Sequence, residues 1–259
     1  MPVLDRFDLG GSVAVVTGGN RGIGRGIATG LAQAGADVVI ANRDEMHGEA
    51  AAEEIADATG QTVIAIQTDV RNDAEVAALA DATAERFGDI DVLVNNAGLT
   101  INTPAEEMAI EEWETVIDVN LSGVFRCTRH VGRHMIESGG GSIVNISSIS
   151  AFIANHPQPQ ISYNASKAAL EGFKNQLAAE WAPYGIRVNN INPGYVRTEL
   201  IDGVLDADPD MAAVWFDGML MDEMATPSDI APLAVYLASD ASSYVTGTSV
   251  VIDGGYTVR

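Results

Sequence analysis

Tyr163 and Lys167 stand four residues apart in a stretch, 161–183, that reads as one helix, so both belong to the same helical face. A phenol titrates near pH 10, too high for proton transfer at neutrality, but a neighbouring ammonium favours the phenolate and lowers that value. The pair reads as a general acid–base centre. The alternative, a surface aromatic beside a solvated lysine, weakens because Lys167 and Lys174 are the only lysines in the chain.

A second constellation is Thr17-Gly18-Gly19-Asn20-Arg21-Gly22-Ile23-Gly24, which follows an apolar run and precedes helical periodicity. Glycines at 18, 22 and 24 allow a sharp turn and close approach to a pyrophosphate, whose charge rests on the free N–H groups of the following helix. The spacing is not G-x-G-x-x-G; its place at the first strand-to-helix turn is what marks a dinucleotide site. About 20 positions on, where an acidic side chain would hold the ribose 2′-hydroxyl of NAD, stands Asn42, followed by Arg43. With Arg21 in the loop, Arg43 suits a 2′-phosphate, so NADP is the preferred cofactor. NAD is the alternative, with Asn42 on a free hydroxyl and both arginines solvated.

Two further patterns carry no chemistry. His130 and His134 have a metal-ligand spacing but no Glu or Cys companion, and Arg126, Arg129 and Arg133 surround them, so no metal site is expected. Cys127, the only cysteine, reads as a small buried side chain.

The elements that must position these residues alternate along the chain. Strands are expected near 12–17, 37–41, 62–66, 91–95, 142–147, 186–191 and 248–252, with helices between them, among them 22–34 and 161–183. This is the pattern of an α/β protein with a doubly wound parallel sheet of about seven strands and helices on both faces. Gly35, Gly60, Gly88 and Gly185 fall where helices should stop. No linker or repeat interrupts 1–259, so a single domain is expected. Segment 198–226 breaks the rhythm with Asp, Met and Pro209; an insertion after a late strand reads as a mobile substrate lid, or else as a surface helical excursion without a substrate role.

The 36 Asp plus Glu against 14 Lys plus Arg give a formal net charge of −22. Nucleic acid and anionic membrane, which need a basic face, are thereby disfavoured as partners. No charged leader and no apolar stretch approaching roughly 20 residues is seen, so a cytoplasmic protein is expected. Self-repulsion on this scale is screened at high ionic strength, which points to a halophilic host.

At this point the residues carry a family resemblance. The loop Thr17–Gly24, Asn95-Asn96-Ala97-Gly98, Asn120, Ser147-Ser148, Tyr163-Asn164-Ala165-Ser166-Lys167 and Pro193-Gly194 resemble the short-chain dehydrogenase/reductase family over essentially the full length. The resemblance implies a Rossmann-like oxidoreductase in which Ser148 holds the substrate oxygen and Tyr163 gives or takes the proton. It also implies Lys167 on the nicotinamide ribose, Asn120 supporting a water-linked relay, Asn96, Ala97 and Gly98 along the cofactor, and a homotetramer. Asp69 with Val70 resembles the adenine-contacting pair; Val196 and Thr198, in Pro193-Gly194-Tyr195-Val196-Arg197-Thr198, resemble the carboxamide-contacting segment. Each of these also reads as a turn or cap residue. Ser150 stays open as the alternative to Ser148. The Ser148–Tyr163 spacing is two residues longer than in many members, which places a small insertion around Ile153–Gln160.

The loop Asn155-His156-Pro157-Gln158-Pro159-Gln160 is polar and stiffened by two prolines. With Ser148, Ser150, Tyr163 and Tyr195, its Asn155 and Gln160 are the expected substrate contacts, suited to hydroxyl groups. The stretch Ser148–Lys167 and the ending Asp253–Val258 resemble polyol and sugar dehydrogenases and ketose reductases. The expected substrate is a sugar, polyol or sugar acid. Because 198–258 contains no Lys or Arg, a neutral substrate is favoured, with Arg197 or His156 left to meet an acid group. Two rivals stand: a 3-ketoacyl-thioester reductase, whose acidic carrier protein this chain would repel, and a non-catalytic dinucleotide sensor, which has no need of the whole catalytic set.

Overall fold

Strand β1 (Val13–Thr17) is buried at every position, as a central strand covered on both faces must be. The structure is a computed structural model describing residues 2–221 and 223–259. β1 is joined by β2 (Asp37–Asn42), β3 (Val63–Gln67), β4 (Val92–Asn95), β5 (Gly141–Ile146), β6 (Ile186–Pro193) and β7 (Ser249–Ile252) in one sheet. The order is β3-β2-β1-β4-β5-β6-β7, and every pairing is parallel. Each expected strand is found within a residue or two, the largest difference being β6, which runs on to Pro193.

Helices α1 (Gly22–Gln33), α2 (Glu45–Thr59), α3 (Asp73–Phe87), α4 (Ile110–Ile117), α5 (Gly123–Ser138) and α6 (Ile161–Trp181) fill the crossovers, and α9 (Pro227–Ala238) precedes β7. Alternation along each strand sorts the core into two layers. Ala14, Val16, Val38 and Ile40 pack with Ile27 and Leu31 of α1 and Ile230 and Leu237 of α9. Val15, Val39, Leu93 and Ile143 pack with Leu79 of α3, Met135 of α5 and Leu177 of α6. Gly60, at φ +76°, ends α2 in the left-handed conformation that glycine adopts without strain.

Segment 198–226 contains two helices, α7 (Glu199–Ala207) and α8 (Pro209–Gly218); Asp222 lies outside the described residues. The Asp208 carboxylate accepts from Met211 N at 2.9 Å, capping α8, and Pro209 occupies the first helical position, where no N–H is needed. Trp215, Met219 and Met224 form a small apolar cluster of their own against Tyr195 and Tyr256. Among the described residues, no helix is long and apolar enough to cross a membrane.

The sheet order reverses beside β1, whose neighbours are β2 and β4. In such sheets the crevice beyond the carboxyl ends of the strands at this switch point receives the ligand. The glycine loop after β1 and Asn95–Gly98 after β4 are both there.

Candidate active site

The loop after β1 is shaped by its neighbour after β4. Asn96 N and Ala97 N donate to Thr17 Oγ1 at 2.9 and 3.0 Å, and Asn96 Nδ2 donates to the carbonyls of Thr17 and Gly18 at 2.9 and 3.2 Å. The Asn96 side chain therefore braces the loop. A β-carbon at Gly24 would lie 2.3 Å from Gly18 O, and Gly18 and Gly22 have φ of +65° and +54°, so this turn requires its glycines. Arg21, the residue before α1, offers no side-chain cap, which leaves the first N–H groups of the helix for an acceptor from outside the chain. This is a cradle that fits a pyrophosphate. At Gly22 a β-carbon would sit 3.4 Å from Thr198 Cγ2, so the segment after β6 closes the far side of the cradle.

The cofactor-specificity residues divide. Asn42 is buried at the end of β2, and its Nδ2 donates to Asp44 O while its Oδ1 has no partner. The Arg21 and Arg43 side chains are exposed and make no ion pair among the described residues. Asp69 does not present a free carboxylate: Arg71 donates to both its oxygens, from Nε at 3.0 and 3.1 Å and Nη2 at 2.6 Å, and holds it below the usual carboxylate range. Val70 is buried, within 2.8 Å of where a β-carbon of Gly123 would lie.

The chemical centre forms where β5, α6 and the junction of α4 and α5 meet. Tyr163 and Lys167 share a face of α6, with Lys167 Nζ 5.5 Å from the Tyr163 ring centroid. Lys167 is buried, and its Nζ donates to Ile146 O at 2.7 Å. Burial lowers its ammonium to about 8. Tyr163 is half-buried, and desolvation raises its phenol, with the Ser148 hydroxyl pulling the other way. This differs from the expectation of a depressed phenol: burial outweighs the Ser148 hydrogen bond, and the balance favours the protonated phenol.

Ser148 starts the short turn Ile149–Ala151. Its Oγ accepts from Ser150 N at 3.1 Å and donates to Ser150 Oγ at 3.0 Å. Of the two candidates, Ser148 lies beside the phenol, and Ser150 is hydrogen-bonded to Ser148. Asn120 sits in a π-helical turn, Asp118–Ser122, between α4 and α5, an irregularity that often marks functional sites. Its Oδ1 accepts from Leu99 N at 2.9 Å, and its Nδ2 donates to Leu99 O at 2.9 Å and Ser166 Oγ at 3.1 Å. A β-carbon at Gly98 would lie 3.4 Å from Asn120 Oδ1 and 3.7 Å from Lys167 Nζ, so cradle and chemical centre are continuous.

The expected substrate contacts turn partly inward. Gln160 Nε2 donates to Ser150 Oγ at 3.4 Å, and Asn155 Oδ1 accepts from Asn164 Nδ2 at 3.3 Å. Gln158, not singled out by type or spacing, donates to Tyr195 OH at 3.3 Å and so ties the polar loop to the 195–226 side. Its partner Tyr195 stacks on Trp215 at 4.7 Å and meets Tyr256 edge-on at 5.2 Å. Nothing in the sequence pattern signals that link, since it joins residues 37 apart across the crevice. His130 and His134 pair separately with Asp73 and Asp81, at 3.0 and 3.1 Å. A wide groove between α1 and α9 reaches the site only at Gly22 and Arg197–Thr198 and contains neither Ser148 nor Tyr163.

Comparison with known proteins agrees with this geometry. Residues 18–257 match the family described as "Enoyl-(Acyl carrier protein) reductase". The chain is 41% identical over 258 residues to the galactitol 2-dehydrogenase of Rhizobium johnstonii, covering 99% of each. A short-chain type dehydrogenase/reductase from Mycobacterium marinum has the same fold, with a TM-score of 0.94 at 39% identity, covering 99% of this chain and 100% of that one. The gluconate 5-dehydrogenase of Burkholderia cenocepacia J2315, solved with NADP and tartrate, superposes with a TM-score of 0.93 at 37% identity, covering 99% of both chains. With a cradle that fits a dinucleotide joined to a Ser148–Tyr163–Lys167 cluster, the chain belongs to the short-chain dehydrogenase/reductase family of nicotinamide-dependent oxidoreductases.

Proposed function

We propose that this protein interconverts a secondary alcohol and a ketone in a neutral polyol or sugar, with NADP preferred over NAD. The observation that carries the reading is the junction at Gly98, which sets the Lys167 ammonium against the cofactor cradle, with the Tyr163 ring 5.5 Å from Lys167 Nζ and Ser148 at the phenol. The bound nicotinamide supplies or accepts the hydride. The chain does the rest. Gly18–Gly24 and the first turn of α1 hold the pyrophosphate, Arg21 and Arg43 meet the 2′-phosphate, and Lys167 holds the ribose. Ser148 orients the substrate oxygen, and Tyr163, kept protonated by burial, gives its proton to that oxygen in the reducing direction. In the oxidising direction the same atoms run in reverse, with Asn120 supporting return of the proton to water.

Several features support a neutral polyol. Arg197 is engaged by Asp202 at 2.8 Å, and no Lys or Arg follows until Arg259. The galactitol enzyme named above has a neutral polyol in its name; the gluconate enzyme, whose named substrate is a sugar acid, shares with it only a polyhydroxylated carbon chain. An acyl-carrier substrate, acidic itself, meets a chain of net charge −22. Segment 198–226 serves as the lid, held to the polar loop through Gln158 and Tyr195. NADP is favoured by the exposed Arg21 and Arg43 and by the absence of an acid at Asn42. The acidic charge supports a salt-adapted cytoplasmic enzyme. Exposed Ile110, Trp113 and Phe125 on α4 and α5 suit burial in a homotetramer.

Tyr163→Phe tests the assignment of the proton. It is expected to lower turnover at least about a thousandfold while cofactor affinity, read by fluorescence titration, stays unchanged. Turnover within about tenfold of the parent would remove Tyr163 from the reaction.

A further inference from the structure

Strands β4, β5 and β6 carry a row of buried asparagines on the face beneath α6. Asn95, Asn145 and Asn190 are register partners on adjacent strands, and Ser249 of β7 is next in the row. Asn95 Nδ2 donates to Asn145 Oδ1 at 2.9 Å, and Asn145 Nδ2 donates to Asn190 Oδ1 at 3.0 Å. The row ends on Glu171 of α6. Glu171 Oε1 accepts from Asn190 Nδ2 at 3.1 Å and from Asn192 Nδ2 at 2.8 Å, and Oε2 accepts from the Ser249 hydroxyl. Lys174 Nζ donates to Ser249 Oγ at 2.7 Å and lies 3.6 Å from Glu171 Oε2. Burial pushes the Glu171 carboxyl up, but three hydrogen bonds and Lys174 outweigh it and hold it below its ordinary range. Glu171 is thus an anion.

Two features tie this network to the reaction. Glu171 lies four residues beyond Lys167 and eight beyond Tyr163, so the acid–base face of α6 continues into it. Asn192, held by Glu171, also uses its amide to donate to the Ser148 carbonyl at 3.1 Å. The carboxylate takes one hydrogen of that amide, and the Ser148 carbonyl takes the other. We infer that Glu171 is a positioning residue: by fixing the Asn192 amide it fixes the Ser148 turn against Tyr163. Without the carboxylate the amide is free to rotate and the turn relaxes. The glycine loop, braced from Asn96 rather than from β6, keeps its shape.

The inference rests on Ser148 orienting the substrate oxygen, so Ser148→Ala is measured beside the others on a substrate that the wild-type enzyme turns over. Glu171→Ala and Asn192→Ala are each expected to lower kcat ten- to a hundredfold, on the order of the loss from a small misplacement of a reacting group. The double variant is expected to be no slower than the slower single one, since both cut one connection. Cofactor affinity stays within about twofold. Ser249→Ala removes a Glu171 contact that does not lead to Ser148, and is expected to melt lower while keeping kcat within about twofold. Should Glu171→Ala not fold, Glu171→Gln, close in shape, carries the same comparison with a smaller loss. Additive losses, or a kcat that tracks melting temperature as a single line through all variants including Ser249→Ala, overturn the inference. An inactive Ser148→Ala beside Glu171 variants of wild-type kcat overturns it alone, whereas an active Ser148→Ala removes the role of Ser148 and the inference with it.

Discussion

Burial acts on both members of the proton pair, raising the Tyr163 phenol and lowering the Lys167 ammonium to about 8. Both shifts favour the neutral form, which is what loss of solvent does to any titratable group. For Lys167 the consequence for stability has a definite sign. Its unfolded value is near 10.5, so between about pH 8 and 10.5 the unfolded chain binds more protons than the native one, and stability rises with pH. Below that window the buried charge costs on the order of 3 kcal/mol, at about 1.4 kcal/mol per pH unit. Lys167→Met should therefore be more resistant to urea than wild type at pH 7, and the advantage should shrink by pH 10; a difference independent of pH would contradict the burial account. The Tyr163–Lys167 pairing was legible because four-residue spacing on a helix is local geometry. The direction of the phenol shift was not, because it depends on Ser148 and on the depth of the crevice. The inward turn of Asn155 and Gln160 depends on Asn164 and Ser150 and was equally invisible in residue type.

Among the elements, α1 matters most, because its first turn borders the glycine loop proposed to hold the pyrophosphate and its flank rests on α9. A β-carbon at Gly26 would lie 2.6 Å from both Pro227 Cβ and Pro227 O, so the two helices touch through glycine. Gly26→Ala is expected to destabilise by about 1–3 kcal/mol, read as a lower urea midpoint, because backbone rather than a flexible side chain must move. An unchanged midpoint would mean that α9 gives way freely. The strands were readable from their apolar runs because a parallel sheet covered on both faces leaves little room for polar residues. The exception is instructive: Asn145 and Asn190 fall inside expected strands, yet with Asn95 they form a buried polar row under α6. Cross-strand register is a long-range property, and no local pattern contains it. Segment 198–226 stood out for its composition, and a helical excursion was one of its two readings; that it forms two helices, the second started by Asp208 and Pro209, was not specified.

At the scale of the whole molecule, 36 acidic side chains face only 14 lysines and arginines, so most cannot be paired. Repulsion among them weakens the native state in dilute buffer and is screened when the Debye length falls to about 3 Å at 1 M salt. The melting temperature should rise by several degrees from dilute buffer to concentrated KCl, a kcal/mol being worth roughly 2–4 °C at this size. Equal melting temperatures in the two would remove salt adaptation from the account. The central claim concerns chemistry, and one assay reaches it most directly: nicotinamide absorbance followed in high salt, with neutral polyols, ketoses, sugar acids and an acetoacetyl thioester, each with NADP(H) and NAD(H) in turn. The account predicts turnover of a neutral polyol or ketose, faster with the phosphorylated cofactor that Arg21 and Arg43 are proposed to meet. Folded protein that binds cofactor yet turns over only the thioester, or none of the panel, would contradict it.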